Sequence, residues 1–280
     1  MKRLSPAAYL PLLRAALRED LGPGGDVTTR FFVPAGARFQ ARVVSREAGV
    51  ICGLQVAAAA FRACDRGARV RALVRDGARV RAGQAVLAVS GGRGLLTAER
   101  TALNFLQRMS GVATLTRRYV DRTRGTRARI LDTRKTLPGW RALDKYAVVC
   151  GGGVNHRMGL YDAAMVKDNH YLGNRLASGA RALRRARPGV PLIVECDTPA
   201  QATRALALKP DVLLLDNMAP ALLRREIRRL RRLAPRVRLE ISGGVSLDAV
   251  RSLARLGPDR ISIGRLTHSA PALDLGLDLA

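Results

Sequence analysis

Aromatic residues, lysine and acidic residues are scarce in this chain of 280 residues. Phe, Trp and Tyr make up 4% of it, and only five of its 49 basic residues are lysine. Because it has only 22 Asp and Glu residues, its formal net charge is +27, and the excess is one of arginine. The shortage of aromatic side chains argues against a surface that stacks nucleic-acid bases, although the charge alone would suit such a partner.

Long apolar runs and closely spaced cysteines are also missing. No run approaches the roughly 20 residues of a membrane span, and the first residues have the pattern of an amphipathic helix and not of a signal peptide. The four cysteines form no CxxC pair, which excludes a zinc ribbon or a disulfide scaffold and predicts reduced thiols. Disorder is excluded by 48% hydrophobic residues, so we expect a globular protein of the cytoplasm.

The first third of the chain mixes helical and strand patterns. Apolar spacing predicts helices over residues 7–20 and 55–64, with a glycine-rich loop after the first. A third helix is predicted over 95–122, interrupted at Ser110-Gly111. Alternation of apolar and polar residues predicts strands that contain Phe39 to Val43, Val70 to Val74, Val80 and Val86. This order predicts a small α+β sandwich domain.

Short apolar runs alternate with helix-like segments after residue 128. The runs end at residues 132, 167, 195, 216, 242 and 264. Repeats of this length predict parallel strands joined by right-handed crossovers, as in an α/β barrel or a doubly wound sheet. The barrel is favoured because charged or glycine residues end all six runs, and in a barrel those ends meet on the active face.

One group of candidate site residues is cationic. Its members are Arg134, Lys135, His156, Arg157 and Lys167. Converging positive charges imply an anionic ligand, and the planar fork of arginine suits carboxylates and phosphates. In a chain with 44 arginines, composition alone would place some of them at strand ends, which is a strong alternative for Arg134 or Arg157 taken singly. It is a weaker one for Lys135 and Lys167, two of only five lysines.

A second group combines two carboxylates with two glycine turns. Glu195 and Asp216 suit ribose hydroxyls, magnesium or a developing positive charge, while pairing with nearby arginines is an almost equally good alternative. Ser242-Gly243-Gly244 and Ile263-Gly264-Arg265 let backbone N–H groups approach a phosphate, although glycine also ends strands for conformational reasons alone. Residues 150–159 are predicted to form either a surface loop or a lid over a ligand.

Two further features point away from function. The arginines of the helix predicted over 222–233 surround an apolar stripe, so they are interpreted as the solvated face of an outer helix and not as a nucleic-acid footprint. The hairpin over 76–83 is similar to half of a lipoyl or biotinyl domain, but no lysine lies at its turn. A carrier role is therefore not expected.

Longer strings of residues closely resemble quinolinate phosphoribosyltransferase, also called nicotinate-nucleotide pyrophosphorylase (carboxylating). The resemblance runs from about residue 12 to the C-terminus in the family's order. In the second half it is carried by Asp132-Thr-Arg-Lys-Thr136, Gly151-Gly-Gly-Val-Asn-His-Arg157, Lys167-Asp-Asn-His170, Glu195-Cys-Asp-Thr198, Leu215-Asp-Asn-Met218 and Ser242-Gly-Gly-Val245. In the first half it is carried by Gly25-Asp-Val-Thr-Thr29 and Leu96-Thr-Ala-Glu-Arg-Thr-Ala-Leu-Asn104.

The resemblance implies an α/β protein with an N-terminal α+β open sandwich domain followed by an incomplete α/β (TIM-like) barrel. The implied bounds are 1–110 for the sandwich, 111–268 for the barrel and 269–280 for a tail that returns to the first domain. The implied reaction joins quinolinate to phosphoribosyl pyrophosphate (PRPP) with Mg²⁺, and gives nicotinate mononucleotide, pyrophosphate and CO₂ for NAD biosynthesis. A homodimer, or a larger assembly of dimers, is implied, with the active site at the interface and no specific nucleic acid or membrane partner.

The resemblance also assigns roles to residues. It gives quinolinate binding to Arg134, Lys135, His156, Arg157 and Lys167, with Thr133 in the same motif and Arg100 supplied by the neighbouring subunit. Glu195 and Asp216 match the acidic pair for the ribose, and they are candidate ligands of an Mg²⁺ held mainly by the PRPP phosphates. The phosphate loops match Ser242, Gly243 and Gly244 together with Ile263, Gly264 and Arg265. Lys135, Glu195 and Asp216 are the expected catalytic residues.

Two alternatives stay open at this point. A paralogue linked to molybdenum-transport operons shares the family's fold, but the intact Asp132-Thr-Arg-Lys135 string and the His156-Arg157 pair favour quinolinate. A nucleic-acid-binding module would use the net charge, and it predicts binding that weakens steeply with salt. Arg265 departs from the small residue expected there, so it is either an added phosphate contact or a product of the arginine bias.

Overall fold

The computed structural model of the protein describes residues 4–170 and 175–279. The described chain divides into two compact units that are interleaved in sequence. The first unit comprises residues 4–117, 136–152 and 265–279, and the second comprises 118–135 and 153–264. These units are defined by packing and not by order along the chain, so they do not test the predicted domain bounds at residues 110 and 268, which stay predictions. The predicted bounds at residues 1 and 280 fall outside the described residues.

The first unit contains an antiparallel sheet and six helical segments. Its four-stranded sheet has the order β12-β1-β5-β3, and β2 pairs with β4 in a separate ribbon. The strands are β1 (Phe39–Ser45), β2 (Gly49–Val50), β3 (Arg69–Ala72), β4 (Arg79–Val80), β5 (Ala85–Gly91) and β12 (Leu275–Leu279). The helices are α1 (Pro6–Leu21), α2 (Val27–Phe32), α3 (Leu54–Cys64), α4 (Gly94–Arg122), α5 (Arg141–Cys150) and α10 (Arg265–His268), and α4 continues into the second unit.

One local prediction for the first unit is wrong, and one short helix was not predicted. The helix α4 runs through Ser110-Gly111 without a break. The Ser110 hydroxyl accepts a hydrogen bond from the Cys52 backbone N–H at 2.9 Å, and a side chain at Gly111 would collide with the Pro271 carbonyl, so both residues pack closely against other parts of the first unit. The glycine-rich loop after the first helix is followed by α2, which the sequence pattern did not predict. Asp26 caps this short helix by accepting a hydrogen bond from the Thr29 N–H at 2.8 Å.

The second unit is built on a parallel six-stranded sheet with the order β6-β11-β10-β9-β8-β7. Its strands are β6 (Arg129–Leu131), β7 (Ala164–Val166), β8 (Leu192–Cys196), β9 (Val212–Asp216), β10 (Arg238–Ser242) and β11 (Arg260–Ser262). Its helices are α6 (Leu176–Ala186), α7 (Pro199–Leu206), α8 (Pro220–Leu233) and α9 (Val250–Ala254), with a 3₁₀ turn at Asp168–His170. The predicted fold class, an α+β sandwich followed by an incomplete α/β barrel, is confirmed.

The helix α8 shows why the arginine excess is compatible with this fold. Leu223, Ile227 and Leu230 are buried along one stripe, while Arg224 and Arg228 are exposed on the other side. The predicted solvated face of an outer helix is therefore present. In the described ranges, no helix is both long enough and apolar enough to cross a membrane.

Candidate active site

Strand register places the predicted charged residues on one face of the parallel sheet. Glu195 lies opposite Leu214, and Asp216 lies opposite Ser242. Because alternate residues of a strand point to the same side, Glu195, Asp216 and Ser242 share a face, and Lys167 just after β7 continues it. Directly beneath them on this face lies an apolar cluster of Ala163, Ile193, Val212 and Leu214, with Met165 packed against it.

Lys167 and Glu195 form an ion pair at the ends of neighbouring strands. The distance from Lys167 Nζ to Glu195 Oε2 is 2.9 Å, and the Glu195 side chain is only 14% exposed. The backbone N–H of Lys167 donates to His170 Nδ1 at 3.0 Å, which fixes the turn after β7. The pair therefore fixes the position of a carboxylate that the sequence pattern and the family resemblance both singled out.

The loop after β6 carries three predicted site residues. The Lys135 N–H donates to Thr133 Oγ1 at 3.0 Å, and this bond shapes the turn that exposes Arg134 and Lys135. Arg157 lies close enough to Arg134 and Glu195 to interact electrostatically with both. Burial, and then the charge of Arg134, lower the pKa of Arg157 below its ordinary value. Two arginines placed against each other in this way suit a bound anion.

His156, predicted as a substrate-binding cation, has a buried side chain that lies beside a carboxylate. Its side chain is 6% exposed, and its Nε2 lies 3.3 Å from Oε1 of Glu240, a carboxylate with no exposure at all. The backbone N–H of His156 donates to Asp132 Oδ1 at 2.8 Å, and the backbone N–H of Arg157 donates to His156 Nδ1 at 2.7 Å. The ring thus packs inside the unit, while Arg157 occupies the more open position.

The first predicted phosphate loop follows β10 and contacts the end of β9. Gly243 and Gly244 have φ of +91° and +57°, a conformation that favours glycine. A side chain at Gly243 would also meet the Asn217 backbone nitrogen at 2.7 Å. The Asn217 N–H donates to the Ser242 carbonyl at 3.1 Å, and its side-chain amide donates to Asp216 Oδ2 at 2.8 Å.

Two site residues received no role from the sequence reasoning. Asn217 ties Asp216 to the glycine loop with a φ of +50°, a region that Asn tolerates better than most residues. The available sequence signal was an Asn directly after the acidic end of a strand. Glu240 lies on β10 two residues before Ser242, so it shares the face of the site. A glutamate between two apolar residues, Leu239 and Ile241, was the available signal for it.

The remaining predicted site residues are those of the second predicted phosphate loop and Arg100. Ile263 is buried and donates its N–H to the Leu131 carbonyl at 2.9 Å, and Gly264 ends the second unit. Arg265 is exposed at the start of α10, which belongs to the first unit. Arg100 is exposed on α4, where it lines a groove of the first unit together with Asp20 and Trp140.

A separate cluster in the first unit has side chains of the kind that bind metals, but its carboxylate is already used by the fold. The side-chain ligand atoms of Cys52, Asp76 and Cys150 all lie within 4.8 Å of one another. Burial raises the pKa of the Cys52 thiol and of the Asp76 carboxyl. The Asp76 carboxylate already accepts from the Gly53 and Leu54 N–H groups at 3.0 and 3.1 Å and from the Tyr146 hydroxyl at 2.8 Å. We interpret the cluster as a cap for α3.

Comparisons with known proteins show what the whole chain is similar to. Family models described as "Quinolinate phosphoribosyl transferase, N-terminal domain" and "Quinolinate phosphoribosyl transferase, C-terminal domain" match residues 26–110 and 112–278. The chain is 49% identical over 277 residues to the "Nicotinate-nucleotide pyrophosphorylase [carboxylating]" of Mycobacterium leprae, and the match covers 95% of each chain. It is 35% identical over 272 residues to the probable enzyme of the same name from Bacillus subtilis, covering 96% of this chain and 92% of that one.

Solved structures give the same result. The nicotinate-nucleotide pyrophosphorylase from Francisella tularensis superposes with a TM-score of 0.92 at 33% identity, covering 99% of this chain and 98% of that one. A structure named NadC from Streptococcus pyogenes superposes with a TM-score of 0.92 at 36% identity over the whole of both chains. The similarity in sequence and in structure therefore extends over both units.

Proposed function

The chain belongs to the quinolinate phosphoribosyltransferase family, and from this premise we propose that the strand ends of the second unit bind quinolinate and PRPP. The reaction transfers the phosphoribosyl group to the ring nitrogen of quinolinate with loss of one carboxylate. Its products are nicotinate mononucleotide, pyrophosphate and CO₂, and it serves NAD biosynthesis in the cytoplasm. One observation carries the proposal: Lys167 Nζ lies 2.9 Å from Glu195 Oε2, so a member of the cationic group and a member of the acidic group lie in contact.

Quinolinate binding is assigned to the cationic side of this site. Quinolinate has two adjacent carboxylates, whose mutual repulsion is offset by Arg134, Lys135, Arg157 and Lys167. A guanidinium binds a carboxylate with two parallel hydrogen bonds, and a lysine adds a point charge. Because burial and a second arginine disfavour the charged form of Arg157, an anionic ligand between the two guanidiniums relieves an existing repulsion.

PRPP binding is assigned to the acidic pair and the glycine loops. Glu195 and Asp216 lie on the site face, where their oxygens suit ribose hydroxyls. The turn at Ser242-Gly243-Gly244 presents backbone N–H groups without a Cβ in the way, which is the usual cradle for a phosphate. Ile263, Gly264 and Arg265 are assigned to the same phosphate, with Arg265 as an additional cation.

Mg²⁺ is part of the proposal, and the donor chemistry of the site suits it. Magnesium prefers oxygen ligands, keeps several waters and takes few carboxylates when a substrate supplies phosphates. Glu195 and Asp216 offer carboxylate oxygens at adjacent strands, and they would share the ion with the pyrophosphate of PRPP. When bound, the ion would neutralise charge that develops on the leaving pyrophosphate.

The chemistry then follows from charge. The quinolinate nitrogen attacks the anomeric carbon as the bond to pyrophosphate breaks, and the ribose passes through a cationic, oxocarbenium-like state. Glu195, positioned by Lys167, and Asp216, positioned by Asn217, stabilise that positive charge. The resulting pyridinium accepts the electron pair of the breaking C–C bond, CO₂ leaves, and a proton replaces it. Lys135 is assigned to the departing carboxylate, and we expect turnover to be most sensitive to its removal.

The assembly is proposed to be a homodimer in which Arg100 reaches the partner's site. The support lies in exposed apolar side chains, which are costly to leave in water. Phe31 and Phe32 on α2 are 74% and 82% exposed, in a chain with only five phenylalanines. In the second unit Leu160 and Tyr161 are 72% and 68% exposed. Burial of such patches between two copies stabilises a dimer.

One assay tests the proposed reaction. The protein is incubated with quinolinate, PRPP and Mg²⁺, and nicotinate mononucleotide and CO₂ are measured. Nicotinate in place of quinolinate is the control, because a site built for two carboxylates rejects a substrate with one. Turnover with quinolinate and little with nicotinate is expected, and equal turnover with both would contradict the assignment. Binding of DNA or RNA that persists at physiological salt in a protein without turnover would favour the nucleic-acid alternative.

A further inference from the structure

Four arginines line a depression in the second unit that the proposed reaction does not use. The depression has a volume of about 680 Å³, and its cationic members are Arg127, Arg228, Arg231 and Arg232. Arg127 comes from the segment before β6, whereas the other three lie in the second half of α8. Two separate parts of the chain therefore bring four guanidinium groups to one place.

This depression lies at the amino-terminal edge of the parallel sheet. Arg231 donates to the carbonyl of Val237, the residue just before β10, and forms an ion pair with Asp259, the residue just before β11. The proposed reaction site lies at the opposite edge, where Asp216 and Ser242 end their strands. Strands β9 and β10 have five residues each, so about 15 Å separates the two edges. A ligand held here would not reach the reacting atoms.

Asp259 holds two of the four guanidiniums in place. One of its carboxylate oxygens lies 2.6 Å from Arg127 Nη2, and the other pairs with Arg231. Arg231 also donates to the carbonyls of Val237 and Gly257 at 3.3 and 3.2 Å. Because these two cations are already fixed, they lose little conformational freedom when an anion binds. Part of the charged lining is thus preorganised.

The four arginines leave a surplus of positive charge. Arg228 and Arg232 are exposed, and in the described ranges neither of them has an ion-pair partner. They lie one helical turn apart, where like charges repel each other. The dipole of α8 favours cations in its last turn, which accounts for Arg231 and Arg232 but not for Arg127. An anion bound between these groups removes a repulsion that Asp259 alone does not offset.

We infer that this depression binds a small polyphosphate, either a free di- or triphosphate or the same group within a nucleotide. The planar fork of arginine binds phosphate oxygens with paired hydrogen bonds, and a polyphosphate brings several negative charges close together. The volume lies in the usual range for a small-molecule site. Ile227 and Leu256 also line the depression and offer apolar contact to the rest of a nucleotide. No residue assigned to quinolinate or PRPP takes part, so the inference goes beyond the proposed function.

The first experiment measures the binding of inorganic triphosphate and of ADP by calorimetry at about 0.15 M ionic strength. We expect each probe to bind the wild type with a Kd below about 1 mM. In the double variant Arg228→Ala with Arg232→Ala, the Kd should rise about tenfold or more. Alanine is a strong helix former, so α8 should be retained. Failure of both probes to bind the wild type would overturn the inference.

A matched control removes the same charge elsewhere. Arg181→Ala with Arg185→Ala takes two exposed arginines from α6, which does not line the depression. The Kd of each probe should stay within about twofold of the wild-type value, because exposed charges at a distance are screened by salt. Equal weakening in both double variants would show that only the net charge of +27 attracts the anion, and the inference would then be wrong.

A kinetic measurement separates this depression from the reaction site, to which phosphates are also assigned. The KM for PRPP should stay within about twofold in the variant that lacks Arg228 and Arg232. A KM for PRPP that rises as much as the Kd for triphosphate would place these arginines in the reaction site and overturn the inference. Lack of turnover with quinolinate would overturn the proposed function instead and leave the binding result standing.

The two probes also decide the source of the polyphosphate. A similar Kd for triphosphate and ADP supports a free polyphosphate, whereas tighter binding of ADP supports a nucleotide. Single-stranded RNA that binds at this ionic strength while neither probe does would overturn the inference in favour of a nucleic-acid partner.

Discussion

Lys167 Nζ lies 2.9 Å from Glu195 Oε2, so a cation assigned to quinolinate and an anion assigned to the ribose are joined in one pair. The two residues are 28 positions apart in sequence and come from the neighbouring parallel strands β7 and β8. The pair connects the two halves of the proposed site through one charged hydrogen bond, which is stronger than a neutral one.

The first prediction concerns this pair. Lys167→Met and Glu195→Gln should each lower kcat/KM by about a hundredfold, because each removes a charge that acts in the transition state. The double variant should be no worse than the poorer single variant by more than about threefold, since the two residues act as one unit. Steady-state kinetics with both substrates measures this. Losses that simply multiply would show that Lys167 and Glu195 work independently.

The second prediction tests the shared site of the dimer. Lys135→Ala and Arg100→Ala should each abolish most turnover while the fold is retained. If Arg100 serves the partner's site, an equal mixture of the two variants that exchanges subunits should regain about a quarter of wild-type turnover. Half of the dimers are then mixed, and each mixed dimer has one intact site out of two. Near-wild-type production of nicotinate mononucleotide by Lys135→Ala would reject its role. No recovery in a mixture shown to exchange would reject the shared site.

The third prediction concerns the phosphate loop. Gly243→Ala places a side chain at φ +91° and against the Asn217 backbone nitrogen. Since Asn217 also holds Asp216, the variant should raise the KM for PRPP about tenfold and lower the free energy of unfolding by about 1–3 kcal/mol. Gly189→Ala is the matched control, because Gly189 is exposed and a Cβ there meets no atom within 4 Å. An unchanged KM for PRPP in Gly243→Ala would contradict the assignment of the loop.

The fourth prediction is a pH dependence of stability through Asp259. Burial alone would raise the pKa of this carboxyl, but the Leu239 N–H at 2.8 Å and the guanidiniums of Arg231 and Arg127 outweigh it and lower the pKa below 3.8. A depressed folded-state pKa gives stability that is present above the unfolded pKa and is lost as pH falls through the folded value.

Asp259→Asn should therefore cost about 1–3 kcal/mol at neutral pH, and the difference from wild type should shrink below about pH 4. Urea unfolding at several pH values measures it. Asp248→Asn, the same change at an exposed carboxylate, should have little effect at any pH. A difference between Asp259→Asn and wild type that is constant with pH would show that the charge of Asp259 does not stabilise the fold.

The fold class could be predicted because its signals are local and repeat along the chain. The two-residue period of β1 and the regular spacing of the βα runs define the strands, and parallel connection brings their carboxyl ends to one edge. For the same reason Lys167, Glu195 and Asp216 could be grouped from sequence. The continuity of α4 could not, because Ser110 and Gly111 are weak helix formers by themselves and their contacts with Cys52 and Pro271 come from distant parts of the chain.

The sequence by itself determined which kinds of charge the site has and on which strand ends they lie. Only the tertiary structure decided which charges are paired inside it. His156 has the chemistry of a cation in the sequence, but packing turns its ring toward Glu240 and its Nδ1 toward the next N–H. The reason is physical: the positions of strands along the chain follow from local patterns, whereas the burial and hydrogen bonds of a side chain depend on residues far away in the chain. The same holds for the +27 charge: strand ends and motifs select the candidate cations in the sequence, but only the structure decides what each of them faces.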